Sequence, residues 1–294
     1  MRIGIAGLGR MGAAIAERLL ETGHTLVVWN RSPEKAKPFA DRGVEVVPSP
    51  AALGPKVDAI VTMLTDAAAI DTVYRQASGL LSSDLTGKLV IEMSTVQPET
   101  EIALAREVRA KGAAYVECPV GGTVGPARSG KLIGLVGGEV ADIERARPIL
   151  ETLCRRIEHV GPVGAGASMK LAINLPLLVF YQSLGEALTL CRSLNLDPAW
   201  LMDFFSDTSG GANVLKVRGA AIAEALSGGN PAPAFDIASI RKDLRTMVAE
   251  AKAHGASLPV AERTLAVYDE AAAEGWDRRD GAALPSFWPS RPTT

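Results

Sequence analysis

"RIGIAGLGRMGAAIAERLLETG", Arg2 to Gly23, is the stretch whose reading decides the fold. "RIGIAG" reads as a short buried strand, and "AAIAERLLETG" carries its apolar residues at helical spacing up to Gly23, where a left-handed cap is expected. Between them lies a G-x-G-x-x-G turn made of Gly7, Leu8, Gly9, Arg10, Met11 and Gly12. Alone the motif is weak, because glycine-rich turns are common. Following a strand and opening a helix, it reads as a dinucleotide loop. Gly7 would allow the tight turn, Gly9 the close approach of a pyrophosphate, and Gly12 the packing of helix on strand. The helix start then offers N–H groups and a positive dipole end to the phosphates.

The same alternation runs outward from this unit. "TLVVW" is a second strand, and "RSPEKAKPFADRG" is expected to be a helix, with Ser32 as cap, Pro33 in the first turn and Gly43 at the end. "VDAIVTML", "KLVIEMS", "AAYVECPV" and "KLIGLVGG" read as further strands, with "PETEIALAREVRAKG" and "IERARPILETLC" as helices. This predicts an α/β Rossmann-type domain with a parallel sheet over residues 1–162. "HVGPVGAG" reads as a hinge, and past it no strand is expected. Helices are predicted over 167–194, 198–207, 213–226, 236–254 and 259–274, with a loop at 227–234 and an irregular tail, "LPSFWPSRPTT". Residues 163–294 are therefore expected to form an all-α C-terminal domain for substrate binding and oligomerisation, joined by one long helix.

Composition narrows the function classes. The formal net charge is −2, with 22% charged and 47% hydrophobic residues, which gives no electrostatic case for nucleic acid or an acidic membrane surface. The three cysteines, Cys118, Cys154 and Cys191, show neither disulfide nor metal spacing, and the three histidines add none. No metal is expected. The most apolar run, Leu171 to Tyr181, is interrupted by Asn174 and Pro176 and is too short to span a bilayer. The opening residues read as a strand rather than a leader, so a soluble, reduced, cytoplasmic protein is expected.

Two places carry chemistry. At the end of the second strand an NAD site usually places an acidic residue against the ribose 2′-hydroxyl. This chain has Asn30, Arg31 and Ser32 there. An arginine pairs with a 2′-phosphate and stacks on adenine, so NADP (NADPH) is preferred, with NAD as the alternative. Arg31 is otherwise an ordinary solvated loop charge. The second place is the apolar helix "GAGASMKLAINLPLLVFY", residues 164–181, which carries Lys170 and Asn174 one turn apart on one face. Burying both is unfavourable unless something uses them. When hydride reaches a carbonyl carbon, a lysine of lowered pKa can protonate the oxygen, and Asn174 can hold the lysine in place.

These motifs together resemble the β-hydroxyacid dehydrogenase family, which includes 3-hydroxyisobutyrate dehydrogenase, tartronate semialdehyde reductase and the glyoxylate/succinic semialdehyde reductases. "GIAGLGRMG" resembles its cofactor loop and "ECPVGGTVGPARSGKL" its substrate loop. "GAGASMKLAIN" resembles its catalytic helix, and "FDIASIRKDL" its C-terminal K-D-L segment. The resemblance spans essentially the whole chain. It implies that Lys170 is the catalytic acid/base and that Thr95 contacts the nicotinamide ribose region. Leu64 and Thr65 would lie on the adenosine side, and Lys242 would reach the cofactor. Thr95 is otherwise a helix cap before Pro98, and Lys242 a wet helix-face lysine. Phe235 reads equally as a wall of the substrate pocket or as core.

Two departures from the family pattern stand out. The substrate loop's usual S-G-G is here Gly121, Gly122 and Thr123, which keeps the N–H donors for a carboxylate but loses the serine. The first of the paired asparagines is Ile173, while the second is retained as Asn174. The expectation is an NADP-dependent oxidoreductase interconverting a small β-hydroxyacid and its semialdehyde, working as a homodimer or homotetramer. The competing readings are an imine reductase and a non-catalytic NADP-binding module. An intact Lys170–Asn174 pair argues against both.

Overall fold

The computed structural model describes residues 1–290, so the last four residues of the expected irregular tail lie outside the described residues. The chain packs as two compact units, Met1–Lys170 and the part from Leu171 onward. The division falls inside a single helix.

In the first unit β1 (Arg2–Ala6), α1 (Arg10–Glu21), β2 (Thr25–Trp29), α2 (Lys37–Ala40) and β3 (Glu45–Val46) are followed by β4 (Ala59–Thr62), α3 (Ala67–Ile70) and β5 (Leu89–Glu92). Then come α4 (Pro98–Ala110), β6 (Ala114–Glu117), β7 (Val120–Gly121), α5 (Val124–Arg128), β8 (Leu132–Gly138), α6 (Val140–Leu153), β9 (Cys154–Gly161) and the start of α7 (Ala165–Leu190). The sheet order is β3-β2-β1-β4-β5-β6-β8-β7, with β9 on the other side of β8. Alternate residues of the strands feed two cores. Ile3, Ile5, Leu26, Val28, Val61 and Ile91 face the side of α1 and α6, while Val27, Ile60, Val90 and Tyr115 face the side of α4. Burial on both faces explains why these strands read as unbroken apolar runs.

Three local expectations change. The sheet is parallel from β3 through β6, but β8 runs antiparallel to β6 and β7, because chain direction leaves no mark on an apolar run. The helix expected over "RSPEKAKPFADRG" is only a 3₁₀ turn, Pro33–Lys35, and the single turn α2. Its second proline, Pro38, cannot donate to a continuous helix through that point. "CRRIEHVG", expected as helix end and hinge, is strand β9, whose arginines and histidine stand exposed at the sheet edge.

The second unit is all-helical among its described residues: the rest of α7, then α8 (Pro198–Ser206), α9 (Val214–Leu226), α10 (Ile237–Ala253) and α11 (Pro259–Ala271). Its core gathers Leu178, Leu184, Ile222, Ile240, Leu244 and Val267. The described part of the tail is not irregular. Gly281–Ser286 forms a 3₁₀ turn, and Leu284 and Phe287 are buried in the helical core. Burying a leucine or phenylalanine side chain stabilises by about 1.5–3 kcal/mol, which fixes this segment in place. Among the described residues α7 alone is long and apolar enough to cross a membrane, and buried residues along it, from Leu171 to Leu188, belong to the second unit's core.

Candidate active site

The glycine loop has the form the sequence predicts. Gly7 sits at φ +103°, and a Cβ there would lie 2.4 Å from the Met63 carbonyl oxygen. A Cβ at Gly12 would lie 1.9 Å from the Gly7 oxygen, so both positions require glycine. Gly9 differs, since a Cβ there would meet nothing within 4 Å. Gly9 is the N-cap of α1, no side chain caps the helix, and its first turn holds no acidic residue. An uncapped 12-residue helix behind an open glycine fits a nucleotide's phosphates.

Asn30 supports this loop from the end of β2. Its Oδ1 accepts from the Leu8 N–H at 2.8 Å, and its Nδ2 donates to the Ser32 oxygen at 2.9 Å. Both ends of the carboxamide are thus used inside the protein. Arg31 is exposed beside it, Ser32 is half-buried, and Arg10 lies exposed at the start of α1. On the neighbouring loops Thr65 is exposed and Thr95 half-buried, and the Leu64 N–H donates to Ser94 Oγ at 2.8 Å.

Beneath those loops, at the carboxyl ends of β4, β5 and β6, lies a buried polar network that the sequence did not reveal. Glu92 accepts from the Ser94 N–H at 2.8 Å, from the Ser94 hydroxyl, and from Thr62 Oγ1 at 3.3 Å. Thr62 also bonds Tyr74, and Tyr115 donates to Glu101 of α4. Burial raises the Glu92 carboxyl above its ordinary value. Burial first, and then the charge of Glu92, holds Glu101 well above its own.

Glu117, opposite Glu92 in the β5–β6 register, extends the network to the start of α7. Its Oε1 accepts from the Gly164 N–H at 2.6 Å and the Gly166 N–H at 2.8 Å, and its Oε2 from the Ala167 N–H at 3.3 Å. Burial raises this carboxyl to about 7 against the lowering effect of the three N–H bonds, with the Glu92 charge adding to the rise. Lys170 follows one turn later and is 8% exposed, as is Asn174 after it. Their apolar neighbours Met169 and Ile173 are 42% and 43% exposed, so the polar pair is inside and the apolar pair outside.

In the second unit, Asn174 Nδ2 donates to Asp243 Oδ2 at 3.3 Å, and the ammonium of Lys242 pairs with Asp243 Oδ1. Asp243 therefore joins two residues singled out in the sequence, although it was not itself singled out there. Phe235 is half-buried against the helical core, and its N–H donates to Asp280. In the segment that resembles the family's substrate loop, Gly121 ends β7, Gly122 sits at φ +124°, and Thr123 is the N-cap residue of α5 without a side-chain cap bond.

A doubly wound sheet with an open glycine loop at its first helix, followed by an all-helical unit, is the architecture of a dinucleotide-binding protein with a second, helical part. Residues 2–161 match the family of the NAD binding domain of 6-phosphogluconate dehydrogenase. Residues 164–288 match that of the NAD-binding region of NADP-dependent 3-hydroxyisobutyrate dehydrogenase. The chain is 31% identical over 290 residues to the mitochondrial 3-hydroxyisobutyrate dehydrogenase of Homo sapiens, covering 97% of this chain and 86% of the human one. It is also 31% identical over 284 residues to glyoxylate/succinic semialdehyde reductase 1 of Arabidopsis thaliana, covering 97% of each. The solved structure of Psf3 in complex with NADP+ and 2-OPP superposes with a TM-score of 0.86 at 28% identity, covering 97% of this chain and 99% of that one. The chain belongs to the β-hydroxyacid dehydrogenase family and is an NAD(P)-binding oxidoreductase.

Proposed function

We propose that this protein interconverts a small β-hydroxyacid and its semialdehyde, prefers NADP(H), and works in the cytoplasm as a homodimer or homotetramer. The first unit would hold the nucleotide, and the second would contribute to substrate binding and subunit contacts. The observation that carries the reading is the inward placement of Lys170 and Asn174 on α7 while Met169 and Ile173 face outward. A buried ammonium and carboxamide in an apolar helix are unfavourable unless they serve chemistry. The names of the relatives support the substrate class, since 3-hydroxyisobutyrate, glyoxylate and succinic semialdehyde are all small carboxylated compounds.

The nicotinamide nucleotide supplies or takes up the hydride. Gly7, Leu8, Gly9, Arg10, Met11 and Gly12 would receive its pyrophosphate at the start of α1, while Asn30 holds the loop through Leu8. Arg31 would pair with a 2′-phosphate, since Asn30, Arg31 and Ser32 at the end of β2 place no acidic side chain there to repel it. Thr65 and Thr95 lie on the loops after β4 and β5, Leu64 is tied to Ser94 there, and Lys242 is fixed by Asp243. In reduction the Lys170 ammonium gives a proton to the carbonyl oxygen, and in oxidation the neutral amine takes it from the hydroxyl. Asn174 is held through Asp243, so its carboxamide keeps one orientation beside the lysine's turn. The backbone of Gly121, Gly122 and Thr123 would grip the substrate carboxylate.

The test is a panel of glyoxylate, succinic semialdehyde, 3-hydroxyisobutyrate in the oxidative direction and a cyclic imine, each with NADPH/NADP+ and NADH/NAD+. Turnover of a carboxylated aldehyde or hydroxyacid, faster with the phosphorylated cofactor, is expected. Turnover of the imine alone, or nucleotide binding with no turnover of any compound, would overturn the substrate reading.

A further inference from the structure

We infer that Glu117 is a positioning residue for the reaction: by holding the first turn of α7 it sets the place of the Lys170 ammonium. The inference rests on the reading of Lys170 as the proton donor. Four N–H groups at a helix start lack partners within the helix. In α7 these run from Gly164 to Ala167, because Ser168 already bonds the Gly164 oxygen within the helix at 3.0 Å; Ala165 is satisfied by the Pro162 oxygen at 3.0 Å, and Gly166 and Ala167 by Glu117. A third bond, from Gly164, ties the residue before the helix to the same carboxylate. Glu117 ends β6, so a rigid sheet strand fixes the helix that carries the lysine.

The surrounding glycines are shaped to this contact. A Cβ at Gly166 would lie 2.5 Å from the Leu135 oxygen and 3.2 Å from the Glu117 carboxyl carbon. One at Gly137 would lie 2.1 Å from Glu117 Oε1. Gly164 adopts φ +100°, which turns its N–H toward the carboxylate. The Gly164-x-Gly166 step ahead of Lys170 thus has a physical reason internal to the protein. Ala167, the last N–H bound by Glu117, precedes Lys170 by three residues and shares its helix face.

Glu117→Gln keeps the shape but replaces one accepting oxygen with an NH₂ that cannot accept from any of the three donors. A plain helix cap would alter stability alone, so the decisive readout is a cycle with Lys170→Ala. The proteins to compare are wild type, E117Q, E117D, K170A and E117Q/K170A, assayed with the best aldehyde of the panel. The measurements are kcat, KM, NADPH Kd, Tm and amide exchange at Gly164, Gly166 and Ala167. E117Q should remain folded and bind NADPH as wild type does, with faster exchange at those amides. Its kcat should fall roughly ten- to a hundredfold through misplacement of the lysine, with KM little changed. E117D, which keeps a carboxyl group with two accepting oxygens, should recover part of the loss. E117Q/K170A should be no slower than K170A, since both changes remove the same proton donor.

Wild-type kcat in E117Q, or a loss that multiplies in full with that of K170A, overturns the inference while leaving the Lys170 reading intact. Wild-type kcat in K170A overturns that reading first, and the inference with it. If E117Q does not fold, the cycle of E117D with K170A gives the same discrimination.

Discussion

Helices α1 and α7 both begin at a Gly-x-Gly step, Gly7 to Gly9 and Gly164 to Gly166, and the two starts are used in opposite ways. At α1 no side chain caps the helix, and the space over Gly9 is open. At α7 the protein fills the same kind of electropositive end with its own carboxylate, Glu117, drawn from the adjacent strand. A helix start attracts an anion in either case. Whether the anion is a ligand or a side chain decides whether the helix end is a binding site or a fixed support. On the proposed reading the open end would serve the nucleotide, and the closed end holds the helix that bears Lys170.

Filling the open end artificially should break this division of labour and gives the largest expected effect. Gly9 has φ −67° and room for a side chain, so Gly9→Asp should fold and cap α1. Its carboxylate would sit where the pyrophosphate binds. Like-charge juxtaposition costs several kcal/mol, so NADPH should weaken roughly a thousandfold while Tm holds or rises. Retained NADPH affinity in a folded G9D protein would show that the phosphates bind elsewhere.

The closed end should announce itself through pH. Burial lifts the Glu117 carboxyl from an ordinary 4.5 to about 7. Between those values the folded protein keeps a proton that the unfolded chain has released. The stability contributed by that proton is complete at low pH and is lost as pH rises through about 7. At 1.36 kcal/mol per unit, wild type should lose up to about 3 kcal/mol relative to E117Q on going from pH 4.5 to pH 8. The Glu92 charge contributes to the rise of Glu117, and the Glu117 charge to that of Glu101, so the difference between the two proteins includes this coupling. Urea unfolding of the two proteins at both pH values measures the difference, and parallel pH curves would mean that the carboxylate does not titrate in this range.

A smaller effect belongs to the rim of the open end. Arg31→Ala should weaken NADPH about tenfold and leave NADH nearly unchanged, because only the former offers a 2′-phosphate. Equal losses for both cofactors, in a fluorescence titration, would remove Arg31 from the discrimination. The order of the two cofactors in wild type tests the NADP preference itself.

The open end was legible in the sequence and the closed end was not. Gly7 to Gly12 lie within one strand–turn–helix unit, so six neighbouring residues and their periodicity suffice to read them. The helical second half was legible for the same reason, except at Gly281 to Phe287, where the turn gains its order only by burying Leu284 and Phe287. Glu117 bonds residues about fifty positions away, and a glutamate before Cys118 and Pro119 has no local signature. Asp243 was hidden likewise: its bond to Asn174 spans 69 residues, and beside Lys242 it reads as half of a surface ion pair. Asn30 was noticed for the right strand end, but its tie to Leu8 becomes visible only when the loop folds back over it. Local periodicity reveals elements, whereas contacts between the ends of distant strands and helices have to be seen.

The central claim is that Lys170, held in place by a filled helix end, moves the proton that accompanies hydride transfer. Single-turnover kinetics of Lys170→Ala, with NADPH and the best aldehyde of the panel, isolates that step from product release. The rate should fall by about 10²–10⁴, with NADPH binding and Tm unchanged, and Lys170→Arg should not restore it. A K170A enzyme that keeps more than about a third of the wild-type single-turnover rate would contradict the account, since a lost general acid cannot be so small an effect.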